Sequence, residues 1–489
     1  MSEWDKLLSQ KRFRAASKRS SFDKRNEFEN DYSRVVFSSS FRRLQDKAQV
    51  FPLENSDFIR TRLTHSQEVS TLGRSIGITV ENKLVEDGIA PELSKNHRGE
   101  ISSILATAGL IHDMGNPPFG HFGETAIQKF FQNWFTKDSI GKEFKLRNPN
   151  HAADFENFDG NVQTFRLLRK LQYLKDMNSL NLAFATLASV IKYPRCSIEG
   201  NKKDKGLSYK KFGYFQSEAK DFQELKEELQ IGNSRHPLAF LLEAADDIAY
   251  SIADIEDGCK KGVLTYEIIS KTLRNKLKME IPDEKALFEQ FIQHYKETVD
   301  ENFPNRIELV VQNFRIDAQG HMITAVIEAF VSNLDDIKSG KFDEDLILAS
   351  KAKNLREAFK ELAGILFANK EVIERELVGE KVICGLLSSF VEAVTSPDRY
   401  DPKSKNGKVF NLISDNYRYI MKNNPYSLQI NDPELIQIEK IDKLSGKKLE
   451  MAQNAPSLYD HLLLVTDFVC GMTDSYALEL YQKLSGIKL

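Results

Sequence analysis

Cysteine is scarce in this chain: four residues in 489, at Cys196, Cys259, Cys384 and Cys470, with no CxxC pairing. Such spacing suggests neither a disulfide framework nor a thiolate zinc knuckle, and it fits a reducing compartment. Long apolar runs are missing as well. None approaches the roughly 18 residues that a membrane helix requires, and no charged, apolar and small-residue leader opens the chain, so a soluble, cytoplasmic protein without membrane contact is expected. Neither sign of charge dominates. The 68 Lys and Arg against 71 Asp and Glu give a net charge of -3, which argues against a generally basic nucleic-acid binder. One local excess stands out in the first 50 residues, where 12 basic side chains face 7 acidic ones and form an arm suited to meeting anions. Internal repeats and low-complexity tracts are absent.

What the chain does have is helical periodicity. Ile101, Ile104, Leu105, Ala108 and Ile111 fall at helical spacing, and Gly115, Pro117, Pro118 and Gly120 then break the helix. Val69, Leu72, Ile76 and Val80 recur every three or four residues after His65. A third helix runs from Phe240 to Gly258, and amphipathic patterns return at Leu346 to Leu366 and Val382 to Val394. Residues 1 to 30 read as a polar lead-in with short helical pieces. Ser197 to Gln216, rich in glycine, lysine and aromatics, breaks the pattern and predicts a loop or a small hairpin. The class is therefore all-α.

Three distant stretches carry the chemistry: His65, the adjacent pair His112-Asp113, and Asp246. The His-Asp pair sits between an apolar helix and a Gly/Pro-rich turn, a place where an unpaired carboxylate is costly. Asp246, Tyr250 and Asp254 fall at i, i+4 and i+8 and drift only about 40° per step, so they form one polar stripe. Buried acids need cations or donors, and a divalent ion is the natural partner. The ligand spacing is not a local code like that of a zinc finger, so convergence in space is left to the fold. His121 lies three residues before Glu124, on one side of a helical turn, where a carboxylate can fix the imidazole's tautomer and raise its basicity; a capping histidine beside a solvated glutamate is the alternative.

The string His112-Asp113-Met-Gly-Asn-Pro-Pro-Phe-Gly-His121-Phe-Gly-Glu124 resembles the signature of the deoxyguanosine triphosphate triphosphohydrolases within the HD phosphohydrolase superfamily. The segments around Phe41 to Glu54 and Arg60 to Ser66 match in order upstream; Phe158-Asp-Gly-Asn161, Lys192-Tyr193-Pro194, Phe212 to Glu218 and the Asp246 helix match downstream. The resemblance covers roughly residues 30 to 260, with an echo at Gly471-Met-Thr-Asp-Ser-Tyr-Ala. It implies an HD-domain helical core over residues 55 to 265, preceded by a basic, substrate-contacting arm at 1 to 54. A helical region at 266 to 489 would pack on the core and between subunits.

The resemblance also implies one divalent metal ion held by His65, His112, Asp113 and Asp246. Mixed imidazole and carboxylate ligation suits manganese, magnesium, cobalt, nickel or iron. It makes His121 and Glu124 catalytic, and places Arg62, Lys192, Tyr193 and Tyr250 on phosphate, with Tyr250 also near the sugar 2′ carbon. Gln49 and Asp254 would bond the sugar 3′-hydroxyl. The implied activity is hydrolysis of a deoxynucleoside triphosphate, preferably dGTP, to deoxynucleoside and inorganic triphosphate. The implied assembly is a homo-oligomer, a hexamer in the family, with nucleotide or single-stranded DNA as effector. Asn116 stands where many relatives have histidine, and the C-terminal pieces around Arg399, Lys405, Lys408, Tyr417 and Arg418 match too loosely for assignment. Two other readings are an HD phosphohydrolase of another nucleotide and a non-catalytic nucleotide- or DNA-binding regulator.

Overall fold

The computed structural model describes residues 3–15, 22–54, 59–172, 176–200, 202, 205–301, 303–423 and 456–487. Among these residues the chain is helical with no β-sheet, and the one extended pairing is an isolated antiparallel bridge between Ala48 and Thr61. The described part of Ser197 to Gln216 takes the loop form. It contains a short 3-10 turn at Leu207–Tyr209, and Asp343 accepts from the Ser208 N–H and hydroxyl, both at 2.9 Å.

Local chemistry sets the helices that matter for function. Thr61 caps the Arg62–Glu86 helix: its hydroxyl accepts from the Thr64 N–H while the Thr64 hydroxyl accepts from the Thr61 N–H. That cap puts His65 in the first turn, on the face that buries Val69, Ile76 and Val80. The Glu100–Ile111 helix is buried almost all round, as its near-continuous apolar run requires. The two helices cross with their backbones in contact. A Cβ on Gly109 would lie 2.5 Å from the Ser70 nitrogen, so only glycine permits this approach, which brings the start of one helix beside the end of the other. The third element, Pro237–Lys260, begins with Pro237 in its first turn and a His236 cap, and packs across the Arg62–Glu86 helix.

The second half supplies Arg306–Ser332, Lys353–Phe367 and Lys370–Thr395, and then Leu458–Cys470 and Asp474–Leu484. The helix expected from Leu346 starts only at Lys353. Asp345 accepts from the N–H groups of Ile347 and Leu348 and folds that stretch into a turn with Leu346 and Ile347 buried. A single hydrophobic cluster runs from Trp4 to Leu480 and draws on every third of the chain. A smaller one joins Val50 and Phe51 to Leu366 and Val372. Within the basic lead-in, Arg12 is buried on Asp31 and the Asn181 carbonyl, at 2.5 and 2.6 Å, so that cation serves the interior. No helix of the described residues is long and apolar enough to cross a membrane.

Candidate active site

The helix crossing brings His65, His112 and Asp113 together, with ligand atoms all within 4.8 Å of one another. Asp246, reaching in from the Pro237–Lys260 helix, puts Oδ1 3.0 Å from His65 Nε2 and 3.5 Å from His112 Nε2. His112 Nδ1 donates to the Gly109 carbonyl at 2.8 Å, which orients the ring and aims Nε2 at the carboxylates. Nε2 itself is buried without a hydrogen-bond partner, the mark of a position built for a cation. Burial alone would lower the pKa of His112; Asp113 and Asp246 reverse that and lift it to about 9. Burial would raise Asp246, yet His112 and His65 hold it well below the usual carboxylate range. His65, His112 and Asp113 could hold a divalent ion, with the Asp246 carboxylate against both imidazoles. The adjacent Asp247 lines the same cavity as Asp246 but is taken by Arg356, which donates to it through two hydrogen bonds, at 3.1 and 3.3 Å.

His121 and Glu124 open the Gly120–Lys137 helix. The turn before it is left-handed at Phe119, with φ 63°. Such a conformation costs a bulky residue on the order of 1 kcal/mol or more. It is held because the Phe119 N–H donates to Asp474 Oδ1 at 2.9 Å and the ring is buried. The turn leaves the His121 side chain 78% exposed while Glu124 is buried. His121 Nδ1 lies 2.9 Å from Glu124 Oε2, and Glu124 Oε1 accepts from the Gly160 N–H at 2.8 Å. Burial pushes Glu124 up, but His121, Lys211 and the Gly160 N–H outweigh it and hold it at about 2. The hydrogen bond and charge of Glu124 in turn raise His121 above an ordinary histidine. With Nδ1 engaged, Nε2 is the nitrogen available for proton transfer.

A cavity of about 340 Å³ joins these groups, lined by His112, Asp113, Asp246, His121 and Glu124. Gln49, Arg62, Lys192, Tyr193 and Tyr250 line it too. Asp254 does not: it is 1% exposed, away from the cavity, with Oδ2 unpartnered and its pKa raised by burial and by Asp257. Arg62 is 3% exposed and pairs through Nη1 with Asp113 Oδ2, so it braces a cluster residue as well as facing the cavity. The Lys192 ammonium sits 2.5 Å from Glu243. Of the loosely matching C-terminal residues, Arg399, Lys405, Lys408, Tyr417 and Arg418 do not line the cavity.

Several positioning residues were not identified by sequence reasoning. Asn116 donates to Asp113 Oδ1 at 2.8 Å, so the amide orients a carboxylate of the cluster. Lys211 pairs with Asp159 and lies 3.9 Å from Glu124. Asp474, in the terminal echo, holds Phe119 with one oxygen and the Ala48 N–H with the other, at 2.9 Å each. Buried Lys47 donates to the carbonyls of Asn116 and Cys470, at 2.6 and 2.7 Å, and ties the same two regions. The echo and the Phe158-Asp-Gly-Asn161 string were the available signals, without any indication of what they touch.

Comparison with known proteins agrees with this geometry. The HD domain family matches residues 62–175, which include His65, His112 and Asp113. A deoxyguanosinetriphosphate triphosphohydrolase-like protein of Listeria monocytogenes serovar 1/2a is 40% identical, over 99% of this chain and all of its own. A protein of the same description from Synechocystis is 34% identical over the full length of both chains. The deoxyguanosinetriphosphate triphosphohydrolase of Serratia proteamaculans is 30% identical over 95% of this chain and 94% of its own. With end-to-end similarity of this degree and an HD domain around the imidazole–carboxylate cluster, the chain belongs to the deoxyguanosinetriphosphate triphosphohydrolase family of the HD superfamily and is a hydrolase.

Proposed function

We propose that this hydrolase converts deoxynucleoside triphosphates, dGTP in preference, into deoxynucleoside and inorganic triphosphate, with one divalent ion held by His65, His112, Asp113 and Asp246. The observation that carries the reading is that this cluster and the His121–Glu124 pair open into one cavity of about 340 Å³. That volume is within the range of small-molecule sites. The activity for which the Serratia relative is named supports the choice of substrate.

The chemistry follows from charge. The α-phosphorus is shielded by anionic oxygens, so attack by water needs positive charge on those oxygens and a group that moves a proton. A bound divalent ion supplies charge neutralisation and polarises the phosphoryl group. The remaining work falls to side chains. A water oxygen bonds to the α-phosphorus, the bond from that phosphorus to the sugar 5′ oxygen breaks, and the 5′ oxygen leaves protonated. His121, held by Glu124, transfers a proton in this exchange through Nε2. Arg62, Lys192 and Tyr193 hold the phosphates, Tyr250 crowds the 2′ carbon, and Gln49 and Asp254 address the 3′-hydroxyl. Asp254 reaches that group only if the helix turn carrying it shifts on binding, since its carboxyl is buried.

Turnover of the four deoxynucleoside triphosphates and GTP, each with magnesium, manganese or cobalt, tests the assignment. dGTP is expected to be consumed fastest and GTP to be spared, and a chelator is expected to stop turnover. Equal consumption of GTP and dGTP, or full activity with chelator, would contradict it.

A further inference from the structure

A second cavity, also of about 340 Å³, is lined by Arg195, Lys205, Ser208, Tyr209, Arg235 and Asp343, among others. Three of these side chains are cationic, and the one carboxylate, Asp343, is already engaged by the N–H and hydroxyl of Ser208. Arg235 is 3% exposed and lies over the Phe240 ring at 4.1 Å, with Nη2 paired to Glu243. Its other donors, Nε and Nη1, are buried and have no partner. A buried guanidinium with two idle donors is a costly arrangement that a planar, multi-oxygen anion relieves. Arg195 is fixed beside it, stacked on Tyr209 at 4.2 Å, and exposed Lys205 adds charge at the rim.

We propose that this cavity binds a phosphate-bearing anion through Arg235 Nε and Nη1, and that its occupancy is felt in the catalytic cavity through Glu243. The link is a chain of two ion pairs. Glu243 takes Arg235 with one oxygen and Lys192 with the other, and both Glu243 and Lys192 line the catalytic cavity. An anion on Nε and Nη1 offsets the charge of the guanidinium whose Nη2 pairs with Glu243, and so weakens that ion pair. Glu243 then holds Lys192 harder and presents more negative charge to a substrate's phosphates, so KM rises. This second consequence rests on the proposed function, whereas the binding site does not.

Crystals soaked in tungstate, a heavy analogue of phosphate, test the site directly. An anomalous peak within hydrogen-bond reach of Arg235 is expected in the wild-type protein, separate from any peak in the catalytic cavity and lost in Lys205→Glu. Its absence from wild-type crystals overturns the site whatever the enzyme hydrolyses. Calorimetric titration with inorganic phosphate, tripolyphosphate and deoxyguanosine monophosphate separates the sources. Binding of the first two assigns the cavity to free anions, and preference for the third assigns it to a nucleotide. For whichever binds, Lys205→Glu should weaken the affinity of this site about tenfold. In kinetics, Lys205→Glu is expected to keep the KM measured without phosphate while about tenfold more phosphate is needed to raise it. Unchanged phosphate sensitivity in that variant, with the tungstate peak present in wild type, overturns the coupling and leaves the binding site standing.

Discussion

Replacing His121 by alanine is expected to lower kcat by about 10²- to 10⁴-fold, the usual contribution of a positioned proton-transfer group. The metal content and the melting temperature should stay close to wild type. Both halves of that expectation come from geometry. The His121 side chain is 78% exposed, so its removal leaves no cavity in the core, and it stands outside the cluster of His65, His112 and Asp113. Glu124→Gln separates its electrostatic role from its packing. Glu124 raises the pKa of His121 through a hydrogen bond and through its charge. The amide supplies neither charge nor an equivalent acceptor, so the folded-state pKa of His121 drops. The limb of the pH–rate profile that reports His121 must then move to lower pH. A limb that stays in place would remove His121 as the titrating group, and near-full activity in His121→Ala would remove it from the chemistry.

Asp246→Ala is expected to abolish turnover and to weaken binding of the divalent ion by at least about 100-fold, since even a change in a ligand's supporting group costs 10- to 100-fold. The neighbouring Asp247→Ala is the matched control. Its carboxylate is bound by Arg356, with no contact to the cluster histidines, so metal content should be retained. Metal analysis of the two variants by atomic emission after dialysis reads the difference. Equal metal loss in both would mean that the carboxylate assignment on this helix is wrong.

Much of the fold was legible because it is written locally. The apolar face after His65 and the run from Ile101 to Ile111 need only short-range periodicity, and they yield the observed helices. Where a polar side chain captured the backbone, as Asp345 does before Lys353, the apolar pattern overstated the helix. In the site, the adjacency of His112 and Asp113 was visible, but the approach of His65 depends on the contact of Gly109 with Ser70, a property of two helices together. The long-range supports could not be read at all. Asp474 reaches Phe119 across 355 residues, and Glu243, on the Pro237–Lys260 helix, engages Lys192 in a bend; nothing in the neighbouring sequence of either residue encodes the partner. The same holds for Asp254, which shares a helical stripe with Asp246 and Tyr250 yet turns into the protein beside Asp257.

The most direct test of the account is the identity of the phosphorus products from dGTP, followed by phosphorus-31 resonance in water enriched in oxygen-18. The account predicts deoxyguanosine and intact tripolyphosphate, with the heavy oxygen on a terminal phosphorus of the chain. Deoxyguanosine monophosphate with pyrophosphate, or the diphosphate with orthophosphate, would contradict it.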